Sequence, residues 1–185
     1  IVISIMAGLS TAKLAALIRA GMPGGGEERR VRLVRVMPNT PVMAGQGMSG
    51  VALEGEAEAG DDALALAIMS AGGSAIRVDE SQLDAITAVS GSGPAYSFFL
   101  AEAMQRAATE LGLGEHASTL VTQTLLGAAR LLDESADDAA ALRKKVTSPG
   151  GTTEAAIRSL EDAGVADAVV AAIRAAEARS RELGA

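Results

Sequence analysis

The sequence predicts an α/β fold with a largely parallel sheet in residues 1–80, followed by an all-helical domain in residues 81–185. Strand and helix signals alternate over the first part, which is typical of an α/β layer architecture. After Glu80 the strand signals stop, and helical periodicity continues to the C-terminus. The chain has two Phe, one Tyr and no Trp, so its core must be built from aliphatic side chains and Met.

Apolar runs, helix-capping residues and the alternation of apolar with polar residues indicate the strands and helices of the first part. The apolar run 1–6 predicts a strand buried on both faces, and Ser10 or Thr11 can cap a helix that reaches Ala20. Strict alternation over 31–36 predicts a second strand. The remaining predicted elements are a glycine-rich loop at 21–28, a strand at 47–53, a helix at 61–71 and a strand at 75–78.

The chain opens on its first predicted strand, with no initiator Met and no polar lead-in. A single strand cannot form a sheet by itself. We therefore expect the protein to contain further residues upstream of Ile1.

Five helices are predicted in the second part, at 94–111, 115–132, 137–145, 152–163 and 165–183. The second of these carries Leu120, Val121, Leu125 and Leu126 on more than one face, and a helix that is apolar nearly all round is normally buried. Because few helices are available to cover it, we expect a second copy of the chain to do so. The sequence therefore predicts a homodimer through its helical half.

Composition excludes several classes of protein. The formal net charge is −7, whereas nucleic-acid-binding proteins usually present a basic face. The chain has no Cys and one His, so disulfides and thiolate or His-based metal sites are not expected. No apolar run approaches the ~20 residues of a membrane span, and no signal peptide is visible. We expect a soluble cytoplasmic protein without metal, nucleic acid or membrane partners.

The segment Val146–Thr153 joins two glycines to the start of a predicted helix. Gly150 and Gly151 let backbone amides approach a ligand without an intervening Cβ. The helix adds unpaired N–H groups and the positive end of its dipole, and two threonines add hydroxyls. These groups suit a small carboxylate or phosphate, although they equally suit a turn with a Thr cap that binds nothing. Glu154 would repel an anion, so we expect it to face solvent.

The segment Ser90–Tyr96 joins a flexible loop to a helix that begins near Pro94. Its Gly-x-Gly lacks the third glycine of a dinucleotide fingerprint and follows no strand–turn–helix unit, which argues against that interpretation. The segment either lines a site or allows close packing at a tight helix entry.

Two further turns follow predicted strands directly. They are the Met-Pro-Asn-Thr-Pro segment 37–41 and the segment Ser4–Gly8. In open α/β sheets, ligands bind beyond the carboxyl ends of strands. The two turns therefore either face a cofactor or are simple loops.

Taken together, these segments resemble the pyrroline-5-carboxylate reductase family. Five segments occur in the family's order and approximate spacing: Ala7-Gly8, 37–41, 84–96, 126–129 and 146–153. The resemblance covers essentially all 185 residues. It implies a Rossmann-like domain whose N-terminal part precedes this sequence. A helical domain follows that forms homodimers and often assembles into decamers.

The resemblance also implies where ligands bind. The cofactor, NADPH or NADH, is expected against Ala7, Gly8, Met37, Pro38, Asn39 and Lys145. The substrate is expected against Ser148, Gly150, Gly151, Thr152, Thr153 and Glu80. Lys145 stands where some relatives have a cofactor-contacting Asn, and a Lys can still reach a phosphate. Thr153 is the expected catalytic residue, because its hydroxyl can hydrogen-bond the substrate's ring nitrogen.

The implied reaction is reduction of 1-pyrroline-5-carboxylate to L-proline, the last step of proline biosynthesis. The cofactor carries the difficult hydride step, and the protein contributes mainly positioning. The proton on the ring nitrogen can come from solvent, so no strong general acid is required. Two alternatives remain: a related two-domain dehydrogenase of a small hydroxy or keto acid, or a non-catalytic helical dimerisation fragment.

Overall fold

The computed structural model describes residues 1–22, 30–53 and 57–184. The strands are β1 Val2–Ser4, β2 Leu33–Met37, β3 Gly47–Leu53 and β4 Gly73–Arg77. The helices are α1 Thr11–Ala20, α2 Asp61–Ser70, α3 Leu83–Ile86, α4 Gly93–Glu110, α5 Ala117–Glu134, α6 Ala139–Lys145, α7 Thr152–Asp162 and α8 Val165–Gly184. The predicted loop at 21–28 lies largely outside the described residues.

Each predicted helix is present, and its ends fall within two residues of the predicted ones. Side-chain caps explain two of the boundaries. The Ser10 hydroxyl accepts the Lys13 N–H at 3.3 Å, and Asp138 accepts the Ala141 N–H at 2.8 Å. None of the described helices is both long and apolar enough to cross a membrane.

Short helical turns between residues 80 and 91 were not predicted. They are a 3-10 turn at Glu80–Gln82, then α3, then a π turn at Thr87–Gly91. The 3-10 turn begins with a capping box between Asp79 and Gln82, a four-residue signal that the sequence does contain.

The four strands form one sheet in the order β1-β2-β3-β4. It is parallel between β1 and β2 and between β3 and β4, but antiparallel between β2 and β3. The connection at 38–46 is too short for the crossover of about a dozen residues that a parallel pair requires. A helix makes the crossover in each parallel pair. The predicted largely parallel sheet is therefore mixed.

The first strand is shorter and more exposed than predicted. Only Val2–Ser4 pair with β2, and Ser4 is the one buried residue among them. The flanking Ile5 and Met6 are 60% and 54% exposed. The prediction of a strand over 1–6 buried on both faces is wrong, because β1 forms an edge of the described sheet.

Helices cover both faces of the sheet. On one face Val34, Val36 and Val51 form a buried core with Ala65 of α2. On the other face α3 approaches so closely that a Cβ on Gly50 would lie 3.1 Å from Ile86. Because side chains alternate along a strand, β2 presents its Arg and Met to the α3 face.

The chain folds as two compact units. The first contains the described residues of Ile1–Pro94 and Ala172–Ala185, and the second is Ala95–Ala171. The division predicted after residue 80 from strand content remains a prediction. The first unit has its own core, whereas α4, α6 and α7 bury no residue and α5 buries only Ala117 and Val121. A single copy of the second unit therefore leaves its apolar side chains largely uncovered.

Asp61, at the start of α2, makes the stability of the first unit sensitive to acid. Its carboxylate accepts the Glu58 N–H at 2.9 Å and binds the Arg32 guanidinium through two nitrogens. The Glu58 hydrogen bond and Arg32 lower the pKa of Asp61, although burial raises it. The folded protein thus binds this proton more weakly than the unfolded chain does. The resulting stabilisation is present above the unfolded pKa, about 4, and is lost as pH falls through the lower folded value.

We expect Asp61→Asn to lower the melting temperature at neutral pH, because the Arg32 pair is lost. The difference from wild type should shrink as the pH falls from about 7 towards 3, since the wild-type carboxylate then becomes protonated. Melting followed by circular dichroism across this range measures the effect. Asp133→Asn, at an exposed position on α5, is the matched control. A difference that stays constant with pH would contradict the assignment.

Candidate functional site

A cavity of about 310 Å³ lies in the first unit beside the turn that follows β1. It is lined by Gly8, Leu9, Ser10, Arg35, Glu80, Ser81, Asp84, Arg181 and Gly184. Its volume falls at the lower end of the range for small-molecule sites, about 300–1,000 Å³. Gly8 and Glu80, both predicted site residues, are thereby brought together.

A partly buried ion pair forms one wall of this cavity. The guanidinium of Arg35, on β2, pairs with Oε1 of Glu80, and the two side chains are 11% and 15% exposed. The same oxygen accepts the N–H of Thr11 at 3.1 Å, in the first turn of α1. The helix start therefore already holds a carboxylate from its own chain. Glu80 lines the cavity, and its Oε1 is committed to Arg35 and Thr11, whereas its buried Oε2 has no hydrogen-bond partner among the described residues.

Asn39 connects two of the predicted segments. Its Oδ1 accepts the Met48 N–H at 2.8 Å, and its Nδ2 donates to the carbonyl and hydroxyl oxygens of Ser90 at 3.2 and 3.3 Å. Met37 packs beside Gly91, where an added Cβ would lie 2.5 Å from Met37 Cε. Segment 37–41 thus meets Ser90 and Gly91 on the α3 face.

The other predicted cofactor residues of the first unit are less enclosed. Ala7 is exposed at the turn after β1, and Pro38 is half-buried between Met37 and Asn39. The structure places Ala7 next to the cavity-lining Gly8 in the chain. Because Ala7 and Gly8 have little or no side chain, a ligand beside them would contact mainly peptide groups.

In the second unit, the segment Ser148–Thr153 forms the predicted helix cap. Gly150 has φ +70°, a conformation that favours glycine, and the Gly151 N–H donates to the Ser148 carbonyl at 3.0 Å. Thr152 and Thr153 begin α7. Their N–H groups lie in the first turn, where amides have no acceptor within the helix. The cap therefore offers amides and hydroxyls from these two residues.

Glu154 does not simply face solvent as expected. Its Oε2 accepts the Gly150 N–H at 2.9 Å, so one amide of the cap already holds a carboxylate. The side chain is 41% exposed, as expected, but the expectation missed that the chain uses this carboxylate to satisfy its own cap. Arg158 lies 3.8 Å from the same oxygen, but that pair is exposed and therefore weak.

Lys145 ends α6, directly before the cap segment. Its ammonium pairs with Asp137, and the two side chains are 63% and 36% exposed. Asp137 is itself oriented by its N–H, which donates to the Ser135 hydroxyl at 3.0 Å. An exposed pair of this kind contributes about 0–1 kcal/mol, so the lysine can exchange Asp137 for another anion.

Several residues around the cavity were not identified from the sequence. Arg35 fits the polar positions of an alternating strand, and Asp84, Arg181 and Ser180 fit polar positions of helices. Their partners lie far away in the chain, so no local pattern marks them. Among the residues that the structure describes, no cluster of three or more His, Asp or Glu is placed to hold a metal.

The fold and these two groups of residues define a class of protein. It has a Rossmann-like α/β unit with a cavity beside a strand-end turn. A helical part follows that carries an anion-type helix cap and uncovered apolar faces. Comparison with known proteins identifies the class more closely.

Residues 80–183 match a domain family described as pyrroline-5-carboxylate reductase dimerisation. The chain is 46% identical over 185 residues to a pyrroline-5-carboxylate reductase of Pseudomonas aeruginosa, covering 99% of this chain and 64% of that protein. A solved reductase from Coxiella burnetii matches with TM-score 0.87 and 40% identity, over 99% of this chain and 65% of that one. A Plasmodium falciparum pyrroline carboxylate reductase, solved with NADP bound, matches with TM-score 0.86 and 31% identity, over 99% and 71%.

The chain belongs to the pyrroline-5-carboxylate reductase family. Its fold is the expected one, a Rossmann-like α/β part followed by a helical dimerisation domain. The chain spans less than two thirds of the length of the Pseudomonas aeruginosa relative.

Asn39 variants test whether the contact between segments 37–41 and 90–96 is structural. Asn39→Ala should destabilise the protein by about 1–3 kcal/mol, because the partly buried Met48 N–H loses its acceptor. Asn39→Asp keeps that acceptor but turns an oxygen towards the Ser90 carbonyl, while the Ser90 hydroxyl can donate to it. We expect a smaller effect, because the Met48 N–H stays bonded. Chemical denaturation of the two variants and wild type measures the difference. An equal loss of unfolding free energy in both variants would contradict the conclusion that the Oδ1 hydrogen bond to Met48 makes the larger contribution.

Proposed function

We propose that the protein carrying this chain reduces 1-pyrroline-5-carboxylate to L-proline with NADPH or NADH. The observation that carries the proposal is the α7 cap. It presents the first-turn amides and hydroxyls of Thr152 and Thr153 in a chain that belongs to the reductase family. Such a cap suits the carboxylate that this substrate carries.

The cofactor would be held by Ala7, Gly8, Met37, Pro38, Asn39 and Lys145. The fit rests on the cavity beside Gly8, a residue whose φ of +69° favours glycine. When bound, the cofactor supplies the hydride. The chain's own residues would orient and enclose the cofactor. Asn39 fixes the 37–41 segment, and the Arg35–Glu80 pair forms one wall of the cavity.

The substrate would be held by Ser148, Gly150, Gly151, Thr152 and Thr153, with Glu80 as a further pocket residue. The Thr152 and Thr153 amides suit its carboxylate, whereas Gly150 contributes its positive φ, since its N–H is already bonded to Glu154. The Thr153 hydroxyl can hydrogen-bond the ring nitrogen and orient the imine carbon. Positioning of this kind makes hydride transfer effectively unimolecular.

Self-association through the second unit is part of the proposal, as a homodimer that can assemble further into a decamer. It is supported by the match to a dimerisation domain and by large exposed apolar side chains. On α4, Phe98 and Phe99 are 64% and 75% exposed, and on α5 Leu131 is 61% exposed. Contiguous exposed apolar surface commonly marks an interface. A cytoplasmic location is also proposed, consistent with a sequence that contains no Cys.

The proposed reaction is tested with the intact protein and a pair of Thr153 variants. Wild type should oxidise NADPH or NADH when given pyrroline-5-carboxylate, and not when given a small keto acid. Thr153→Ala should raise the substrate KM by roughly 10-fold or more, the loss of one hydrogen bond to a charged group. Its KM for the cofactor should stay within about twofold. Thr153→Ser keeps the hydroxyl and serves as the matched control.

Absence of turnover in intact wild type would remove the proposed reaction. Equal damage by Thr153→Ala to substrate and cofactor KM would remove the assignment of Thr153 to the substrate. Turnover of a keto acid alone would favour a related dehydrogenase instead.

Phe99→Glu tests the proposed interface. Burying an unpaired carboxylate is strongly unfavourable, so we expect the dimer to weaken by at least roughly tenfold, about 1.4 kcal/mol. Sedimentation velocity over a concentration series measures the shift to monomer. Met43→Glu, in the first unit at a residue that is 89% exposed, is the control and should remain dimeric. A Phe99→Glu variant as dimeric as wild type would contradict the interface.

A further inference from the structure

The last turn of α8, residues 180–184, is anchored in the first unit by a buried hydroxyl. Ser180 is 6% exposed, and its Oγ donates to Oδ1 of Asp84 at 2.6 Å. Asp84 belongs to α3 and also lines the cavity. A partly buried hydrogen bond to a carboxylate is stronger than an exposed ion pair, so this contact fixes the helix end more firmly than surface pairs on the same helix do.

The same turn packs directly on the backbone that follows β1. A Cβ on Gly8 would lie 3.0 Å from Leu183 Cβ, so these two segments of the chain approach more closely than most side chains permit. Lys13, in the first turns of α1, donates to the Gly184 carbonyl at 3.3 Å. Arg181 and Gly184 line the cavity together with Gly8. The helix end therefore forms a wall of the cavity and holds the turn at Gly8 in place.

We propose that residues 180–184 act as a positioning element for the cofactor, and that Ser180 is a positioning residue for this turn. The inference rests on the proposed function, since it takes the turn at Ala7-Gly8 to contact the cofactor. Ser180 touches no reacting atom. It acts through Asp84 and through the packing of Leu183 on Gly8.

The expected change in cofactor affinity depends on the fraction of molecules whose Gly8 turn is in the conformation that binds the cofactor. If the anchor is lost, the last turn of α8 frays and the Gly8 turn samples other conformations. The apparent Kd of the cofactor then rises in inverse proportion to the competent fraction. A fall of that fraction to about one fifth gives a roughly fivefold rise in Kd. Contacts in the α7 cap are not altered, so substrate handling should change little.

Ser180→Ala isolates this anchor, because Ala is a better helix former than Ser and does not weaken α8 itself. In the intact protein, we expect the NADPH Kd to rise roughly fivefold by fluorescence titration. The substrate KM at saturating cofactor and kcat should stay within about twofold. Ser180→Thr keeps a hydroxyl and should restore most of the affinity. Glu182→Ala is the control in the same turn, because its side chain is 65% exposed.

An NADPH Kd for Ser180→Ala within about twofold of wild type overturns the proposal, as does equal damage to cofactor Kd and substrate KM. A Ser180→Thr variant as weak as Ser180→Ala also overturns it. If wild type binds NADPH but reduces a different acid, the proposed reaction fails while the Ser180 result still decides the inference. If wild type binds neither NADPH nor NADH, both fail.

Discussion

The arrangement of the elements around the cavity depends on the partly buried ion pair between Arg35 and Glu80. These residues are 45 positions apart, and the Thr11 amide that shares the Glu80 carboxylate is 69 positions from it. Removing one partner would leave the other charge unpaired at a site largely shielded from water, which is unfavourable. The pair therefore holds β2, the start of α1 and the segment after β4 in one arrangement, and this arrangement shapes the cavity.

The second unit follows a different constraint. Its helices contain small and apolar residues, yet within one copy α4, α6 and α7 bury none of them. Propensity alone stabilises isolated helices poorly, so packing against another surface is needed. The proposed dimer would supply this packing for the second unit, whereas the first unit has its own core around Val34, Val36 and Val51.

Two groups expected to bind ligand anions already hold carboxylates of the same chain. The Gly150 amide is bonded to Glu154, and Lys145 is paired with Asp137. A ligand anion at either group exchanges with an internal carboxylate, so the net gain is smaller than for an unpaired donor. The free amides of Thr152 and Thr153 have no such competitor in the helix, which makes them the stronger donors of the cap.

Sequence alone determined the features that depend on neighbouring residues. The start of α1 followed from the predicted cap at Ser10 or Thr11, and the cap at 148–153 followed from its glycines, because these signals act within one helical turn. The family followed from the order of such segments. Only the tertiary structure decided the antiparallel β2–β3 pairing, the edge position of β1, the Arg35–Glu80 ion pair and the hydrogen bond from Ser180 to Asp84. Each joins residues distant in the chain, and their pairing is fixed by packing that no local pattern records.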